Sequence, residues 1–225
     1  MKSFSPCLHI LPQRQSRLWP ELRPSADLGF ALYGGTAIAL RLGHRTSVDF
    51  DFFTERQLQR SAVLERLPFV RNAEVLQDTP DTFTVLVTHN GSKDPPVKVS
   101  FFGSITFGRV ADPQWTEDGI VQVASCDDLL ATKVKVLLQR VEAKDYLDVA
   151  ALLRSGVPLE RGLAAARALF GSAFQPSECL KALVYFEGGD LDSLPKATKD
   201  GLVHVVSAVR DLPDVSVVDK QLTLR

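Results

Sequence analysis

The sequence predicts an α+β protein, with a mixed β-sheet flanked by helices in its first half and a helical bundle in its second. Three observations lead there. Short runs rich in Val and Phe, among them "SVDFDFF", "TFTVLVTH" and "VKVSFFG", alternate with period 2 or stand between turn residues. From Ser125 onward apolar residues recur at helical spacing, and glycines stand where helices should close. Between these regimes "DPQWTEDG" punctuates residues 112 to 125, and 225 residues suffice for two parts.

Taken in order, residues 11 to 22 carry helix formers and end near Pro24, while "FALYGGTAIALRLG" reads as a short strand, a glycine turn and a helix closed by Gly43. "SVDFDFF" is the next strand, with Val48, Phe50 and Phe52 on its core side. Residues 58 to 67 form a helix stopped by Pro68. The strands "AEVLQ" and "TFTVLVTH" follow, then the turn "NGSKDPP" and the strand "VKVSFFG". Ser125 with Asp128 resembles a capping box, opening a helix with the apolar stripe Leu130, Val134, Leu137 and Val141. Helices are expected over 144–154, 159–170 and 177–186, closed by Gly156, Gly171 and Gly188, and over 199–210.

Composition narrows the function. A net charge of −1 excludes a chain coated with Lys and Arg for non-specific duplex binding. Local basic groups remain: Arg14, Arg17, Arg23, Arg41, His44 and Arg45 in one, Lys133, Lys135, Arg140 and Lys144 in another, most of them expected on solvated helix faces. No apolar run approaches the roughly 20 residues that span a bilayer. The first residues lack a secretory pattern, so a cytoplasmic protein is expected. Cys7, Cys126 and Cys179 lie far apart, giving neither a metal knuckle nor a disulfide framework; they read as buried free thiols.

The stretch "YGGTAIALRLGHRTSVDFDFF", residues 33 to 53, carries the chemistry. In a strand, residues two apart share a face, which places Asp49 and Asp51 side by side with Cα atoms about 6.5–7 Å apart. Two such carboxylates repel unless a cation lies between them, and hard Mg²⁺ suits one or two carboxylates plus phosphate oxygens and water. Gly34 and Gly35 let backbone approach a ligand, and the helix starting near Thr36 offers unpaired N–H groups to phosphate. Each half alone has a bland explanation, a tight turn or a solvated edge strand. Their joint spacing is the signal.

The pattern hydrophobic-Gly-Gly-x(13)-Asp-x-Asp resembles the polymerase-β-like nucleotidyltransferase superfamily, and "LYGGTAIALRLGHRTSVDFDFF" resembles its AbiEii/AbiGii toxin family. "LLATKVKVLLQRVEAKDYLDVAALL", residues 129 to 153, is similar to the family's later motifs, a helix Lys followed by a Lys/Arg-Asp-x-x-Asp element. The likeness covers about residues 28 to 154. It implies a nucleotidyltransferase core over 1–118, and a helical domain over 119–225 completing the cleft for nucleotide and acceptor. It implies an enzyme using Mg²⁺ or Mn²⁺ that moves a nucleoside monophosphate from an NTP to an RNA hydroxyl, such as one on tRNA. It also implies a cognate antitoxin encoded nearby. By the same resemblance Asp49 and Asp51 hold metal and, with Lys133 and Asp148, are catalytic. Gly34, Gly35, Thr36, Arg45, Ser47 and Asp145 bind nucleotide. His44 reads as a turn residue. Asp145 and Asp148, three apart on a helix, share a face and act at the site or pair with Lys144 and Arg154.

One position departs from the pattern. The superfamily commonly has a third carboxylate on a neighbouring strand, and "VKVSFFG" is its place, but Ser100 stands there beside Lys98 and Phe102 on the same face. Loss of a general base costs about 10²–10⁴-fold in rate. A slow enzyme, deprotonation by the substrate, recruitment of Asp148 and an inactive nucleotide-binding module are the alternatives. Asp81 and Asp94, both in turn-like sequence, are weak substitutes.

Overall fold

The computed structural model of the protein describes residues 2–88 and 95–224. Asp94 and most of the expected turn "NGSKDPP" lie outside the described residues. The chain divides into two compact units, one comprising 1–108, 112–125 and 219–225, the other 109–111 and 126–218.

Among the described residues, the first unit is built on an eight-stranded sheet in the order β1-β7-β8-β2-β3-β6-β5-β4. Its strands are β1 (Ser3–Phe4), β2 (Ala31–Tyr33), β3 (Asp49–Phe53), β4 (Glu74–Thr79), β5 (Thr82–Val87), β6 (Val97–Phe102), β7 (Gln114–Thr116) and β8 (Gln122–Val123). β2 runs antiparallel to β3 with Tyr33 opposite Asp51, and β3 runs parallel to β6 with Asp49 opposite Lys98 and Asp51 opposite Ser100. Alternation then fixes the two faces. Phe50, Phe52, Val99, Phe101, Phe83 and Val85 point one way and are fully or almost fully buried. Phe30 closes over that face, its ring 5.3 Å from Phe101 and 6.4 Å from Phe52. Trp19 stands 6.2 Å from Phe50 and donates its indole N–H to Asp118 at 2.7 Å. Helices α1 (Gln13–Leu18), α2 (Pro24–Asp27), α3 (Gly34–Leu42) and α4 (Arg60–Arg66) complete the unit. The last residues also belong to it: Leu222 is fully buried, and the Gln122 side chain exchanges two hydrogen bonds with the backbone of Leu224, at 2.8 and 2.9 Å.

The second unit consists mainly of α5 (Cys126–Val136), α6 (Ala143–Arg154), α7 (Leu159–Phe170), α8 (Pro176–Val184) and α9 (Lys196–Ala208). α5 and α7 approach closely because Gly162 has no side chain: a Cβ there would come within 2.3 Å of Leu130 Cδ2. Asp128, almost fully buried in α5, accepts the backbone N–H of Val110 at 2.8 Å.

Several expectations are corrected. Val48 lies just outside β3 and is exposed, so only Phe50 and Phe52 serve the core. Val141 is exposed because α5 ends at Val136, before the stripe reaches it. Cys179 is buried, but Cys7 and Cys126 are only half-buried. The helix expected over 11–22 is α1 followed by a 3-10 turn at Trp19–Leu22, where Pro20 cannot supply an N–H. Strands β1, β7 and β8 were not expected, and the last two fall in the punctuating stretch at 112–125.

Candidate active site

The turn from β2 into α3 brings backbone against β3. Tyr33 is extended, and Gly34 follows with φ of +75°, a region L residues rarely adopt. The α-carbon of Gly34 faces the Asp51 carboxylate so closely that a Cβ would lie 2.6 Å from Oδ2. Glycine is thus required on two grounds, backbone angle and the space taken by the carboxylate. Gly35 opens the regular part of α3. Thr36, almost fully buried, donates through Oγ1 to the carbonyl oxygen of Asp49 and lies 2.8 Å from Ser47 Oγ. Its side chain therefore ties α3 to the start of β3, and Ser47, also buried, extends the tie. Arg45 donates to the carbonyl of Thr46 at 2.9 Å. Arg41, in the first basic group, is internal: its guanidinium reaches the carbonyls of Val123 and Ala124 and lies over the Phe4 ring at 4.3 Å.

Asp49 and Asp51 project from the face opposite Phe50 and Phe52, and both are part-exposed. Lys98 of β6, missed as a candidate, places its Nζ 3.0 Å from Asp49 Oδ2. The signal was there, since Lys98 sits two residues before Ser100 on the same face. Ser100 is buried and lies in register between Asp51 on β3 and Thr84 on β5. Across those three strands runs a row of one carboxylate and two hydroxyls. Asp81 stays at the β4–β5 turn, where its carboxylate accepts the Ser104 hydroxyl at 2.6 Å. Beside Asp51, Phe53 stacks on Tyr33 with ring centroids 4.8 Å apart and meets Phe102 edge-on at 5.0 Å, so one end of the carboxylate pair abuts an aromatic wall.

The remaining candidates meet in the second unit. Lys133 of α5 places its ammonium 2.7 Å from both Asp145 and Asp148 of α6. All three side chains are buried, the aspartates completely. Arg140 adds hydrogen bonds to both oxygens of Asp145 at 2.7 and 3.1 Å. Lys133 and Arg140 thus face Asp145 and Asp148, and Glu142 lies 3.7 Å from Arg140. Burial alone would push the Asp145 carboxyl up, but the Arg140 hydrogen bond and the Lys133 charge outweigh it, and the net shift is downward. Lys144 pairs instead with Glu142 at 2.6 Å. Nearby, burial drives the Cys179 thiol up to about 12, which leaves it inert.

A mixed sheet with a glycine turn facing two alternate aspartates belongs to the nucleotidyltransferase class of folds, and solved structures agree. MenT4, a nucleotidyltransferase toxin of Mycobacterium tuberculosis, superposes with a TM-score of 0.55 at 13% identity, over 88% of this chain and 83% of its own. An antigenic nucleotidyltransferase-like protein of Paracoccidioides brasiliensis gives 0.55 at 16% identity, over 88% and 94%. The chain belongs to the AbiEii nucleotidyltransferase toxin family: the family model described as nucleotidyl transferase AbiEii toxin, type IV toxin–antitoxin system, matches residues 18–214. The match continues well past residue 154, where the motif resemblance stops. An uncharacterised protein of Aquifex aeolicus is 30% identical over 127 residues, a stretch spanning 56% of this chain and 58% of that relative.

Two outcomes test this geometry. Gly119 also has positive φ, but a Cβ there would meet nothing within 4 Å. Both Gly34→Ala and Gly119→Ala should lose stability, by about 1 kcal/mol or more for the backbone alone. Gly34→Ala should lose clearly more, because only there does the methyl displace a carboxylate. Equal losses in urea unfolding would show that the Asp51 contact is not tight. Lys133→Met should cost about 3–5 kcal/mol, since it strands two buried carboxylates. A Lys133→Met protein with native stability would make Lys133 a ligand contact only.

The depressed Asp145 value carries a pH dependence with a definite sign. Its stabilisation is fully present above the ordinary aspartate value of 3.8 and is lost as pH falls below that towards the lower native value. Asp145→Asn should therefore flatten the acid limb of the stability curve below pH 4, measured by urea unfolding against pH. An unchanged limb would remove Asp145 from the account.

Proposed function

We propose that the chain is a toxin nucleotidyltransferase that moves a nucleoside monophosphate from an NTP to an RNA hydroxyl, with tRNA as a candidate acceptor. The observation that carries this reading is the placement of Asp49 and Asp51 on one face of β3, with the α-carbon of Gly34 against Asp51. Two hard carboxylates beside a glycine turn and a helix start suit Mg²⁺ or Mn²⁺ whose other ligands are phosphate oxygens and water. When bound, such an ion neutralises charge on the transferring phosphoryl group and orients it.

The chain's own residues supply the rest. Backbone N–H groups at Gly35 and Thr36, at the start of α3, receive the β- and γ-phosphates, and Arg45 adds a charge near them. The acceptor hydroxyl oxygen bonds to the α-phosphorus as the bond to the β-phosphate bridging oxygen breaks, and pyrophosphate leaves. With a hydroxyl at Ser100 where a carboxylate base commonly stands, the reading assigns the acceptor's proton to a phosphate oxygen of the substrate. Lys133 gives N–H donors to Asp145 and Asp148 inside the second unit. Asp148 and Asp145 then act by holding Lys133 in place. A cognate antitoxin and a cytoplasmic location belong to the same reading. No helix among the described residues is long and apolar enough to cross a membrane.

A second reading, a catalytically impaired nucleotide-binding or protein-interaction module, is favoured by Ser100 and by the Lys98 ammonium on Asp49. One experiment separates them. Purified protein with Mg²⁺, bulk RNA and each labelled NTP in turn should label RNA 3′ ends, and Asp49→Ala should lower that by about 10²-fold or more. No labelled RNA, with NTP still bound by the native protein but not by Asp49→Ala, would reject transfer and leave the binding module.

A further inference from the structure

The sheet face that carries Asp49 and Asp51 turns aromatic at one end. Phe53 is the next residue of β3 on that face, and Phe102 stands opposite it on β6, two residues beyond Ser100. Tyr33, opposite Asp51 on β2 and almost fully buried, stacks on Phe53 with ring centroids 4.8 Å apart and planes at 12°. Phe102 meets Phe53 at 5.0 Å and 76°. Phe107 lies 6.2 Å from Tyr33 and 6.3 Å from Phe53.

The main core of the unit is on the other face, where Phe50, Phe52 and Phe101 are fully buried. Phe53 and Phe102 are only half-buried. An aliphatic side chain would fill the same space, but an aromatic ring also offers a flat π-surface to another ring. Every nucleobase has such a face, and stacking on an aromatic side chain holds it whatever its sequence identity.

The wall is continuous with the turn proposed to receive phosphate, because Tyr33 immediately precedes Gly34. Phe53 lies about 6.5–7 Å beyond Asp51 along the strand. That is of the order of the span a ribose puts between its 5′-phosphate and its base. We infer that Phe102, backed by Phe53 and Tyr33, stacks against the base of the bound NTP. The inference rests on the proposed metal–phosphate reading of Asp49 and Asp51. Since all four bases present a π-face, the wall adds affinity without choosing among them.

The test compares, on the full chain with Mg²⁺ and no RNA, the calorimetric affinity for each NTP with that for ribose 5′-triphosphate, which carries the same phosphates and no base. Native protein should bind each NTP about tenfold more tightly than the base-free compound. Phe102→Leu, which keeps apolar volume and removes the ring, should lose that tenfold and bind ribose 5′-triphosphate as the native protein does. Phe102→Tyr should keep the difference. Circular dichroism checks that each variant folds, and the native comparison stands without either. Equal native affinity for NTP and ribose 5′-triphosphate would overturn the inference, as would full NTP affinity in folded Phe102→Leu. So would a loss in Phe102→Leu confined to binding of an RNA oligonucleotide, which would give the wall to the acceptor's terminal base. Each of these results leaves the metal–phosphate reading intact. Native protein that binds neither the NTPs nor ribose 5′-triphosphate would overturn both.

Discussion

The site depends on a single close approach, that of the Asp51 carboxylate to the α-carbon of Gly34. A side chain at residue 34 would begin 2.6 Å from Oδ2, closer than real contacts allow. That approach follows from the antiparallel register of β2 and β3, which puts Tyr33 opposite Asp51 and leaves the next residue to turn over it. The positive φ of Gly34 then directs the chain into α3 within one residue. Thr36 fastens the turn from the other side by hydrogen bonding to the carbonyl of Asp49. Carboxylate, glycine and helix start are thus one construction: moving any of them moves the others. The fully buried Phe50 and Phe52 hold it from beneath, because a one-residue slip of β3 would exchange them with the aspartates.

The second unit solves a different problem, the burial of charge. Taking Lys133, Asp145 and Asp148 out of water costs several kcal/mol per ion, and the cost is offset only when every partner is in place. Here the ammonium lies between two carboxylates, and Arg140, half in solvent, donates to both oxygens of Asp145. The cluster joins α5 to α6 through charge rather than through apolar contact alone.

The sequence made legible whatever depends on local periodicity. α3, α6 and α7 and the strands β3, β5 and β6 fall within a few residues of their expected places, because caps, glycines and alternation act over a handful of positions. β1 and β8 are two residues each and exist only through pairing with distant segments, so no local pattern announces them. Of the site, the pairing of Asp49 with Asp51 on one strand face was legible from alternation. That Lys98 shares the face of Ser100 was legible too, but its pairing with Asp49 needed the register of β3 against β6. Thr36 reads from sequence as a nucleotide contact at a helix start, and only the fold shows its hydroxyl buried against Ser47 and the Asp49 carbonyl. Lys133 reads as a residue of an exposed basic group, yet it is buried, since only the fold shows that α6 brings two aspartates to it.

The central claim is that Asp49 and Asp51, set against the Gly34 turn, form a metal–phosphate site. Crystals grown with Mn²⁺ and a non-hydrolysable triphosphate analogue, measured at the manganese absorption edge, test it directly. The account predicts an anomalous peak within coordination distance of the Asp49 and Asp51 carboxylates, with the analogue's phosphates over Gly34, Gly35 and Thr36. Phosphates and manganese bound together elsewhere on the chain, with these carboxylates uncoordinated, would contradict it.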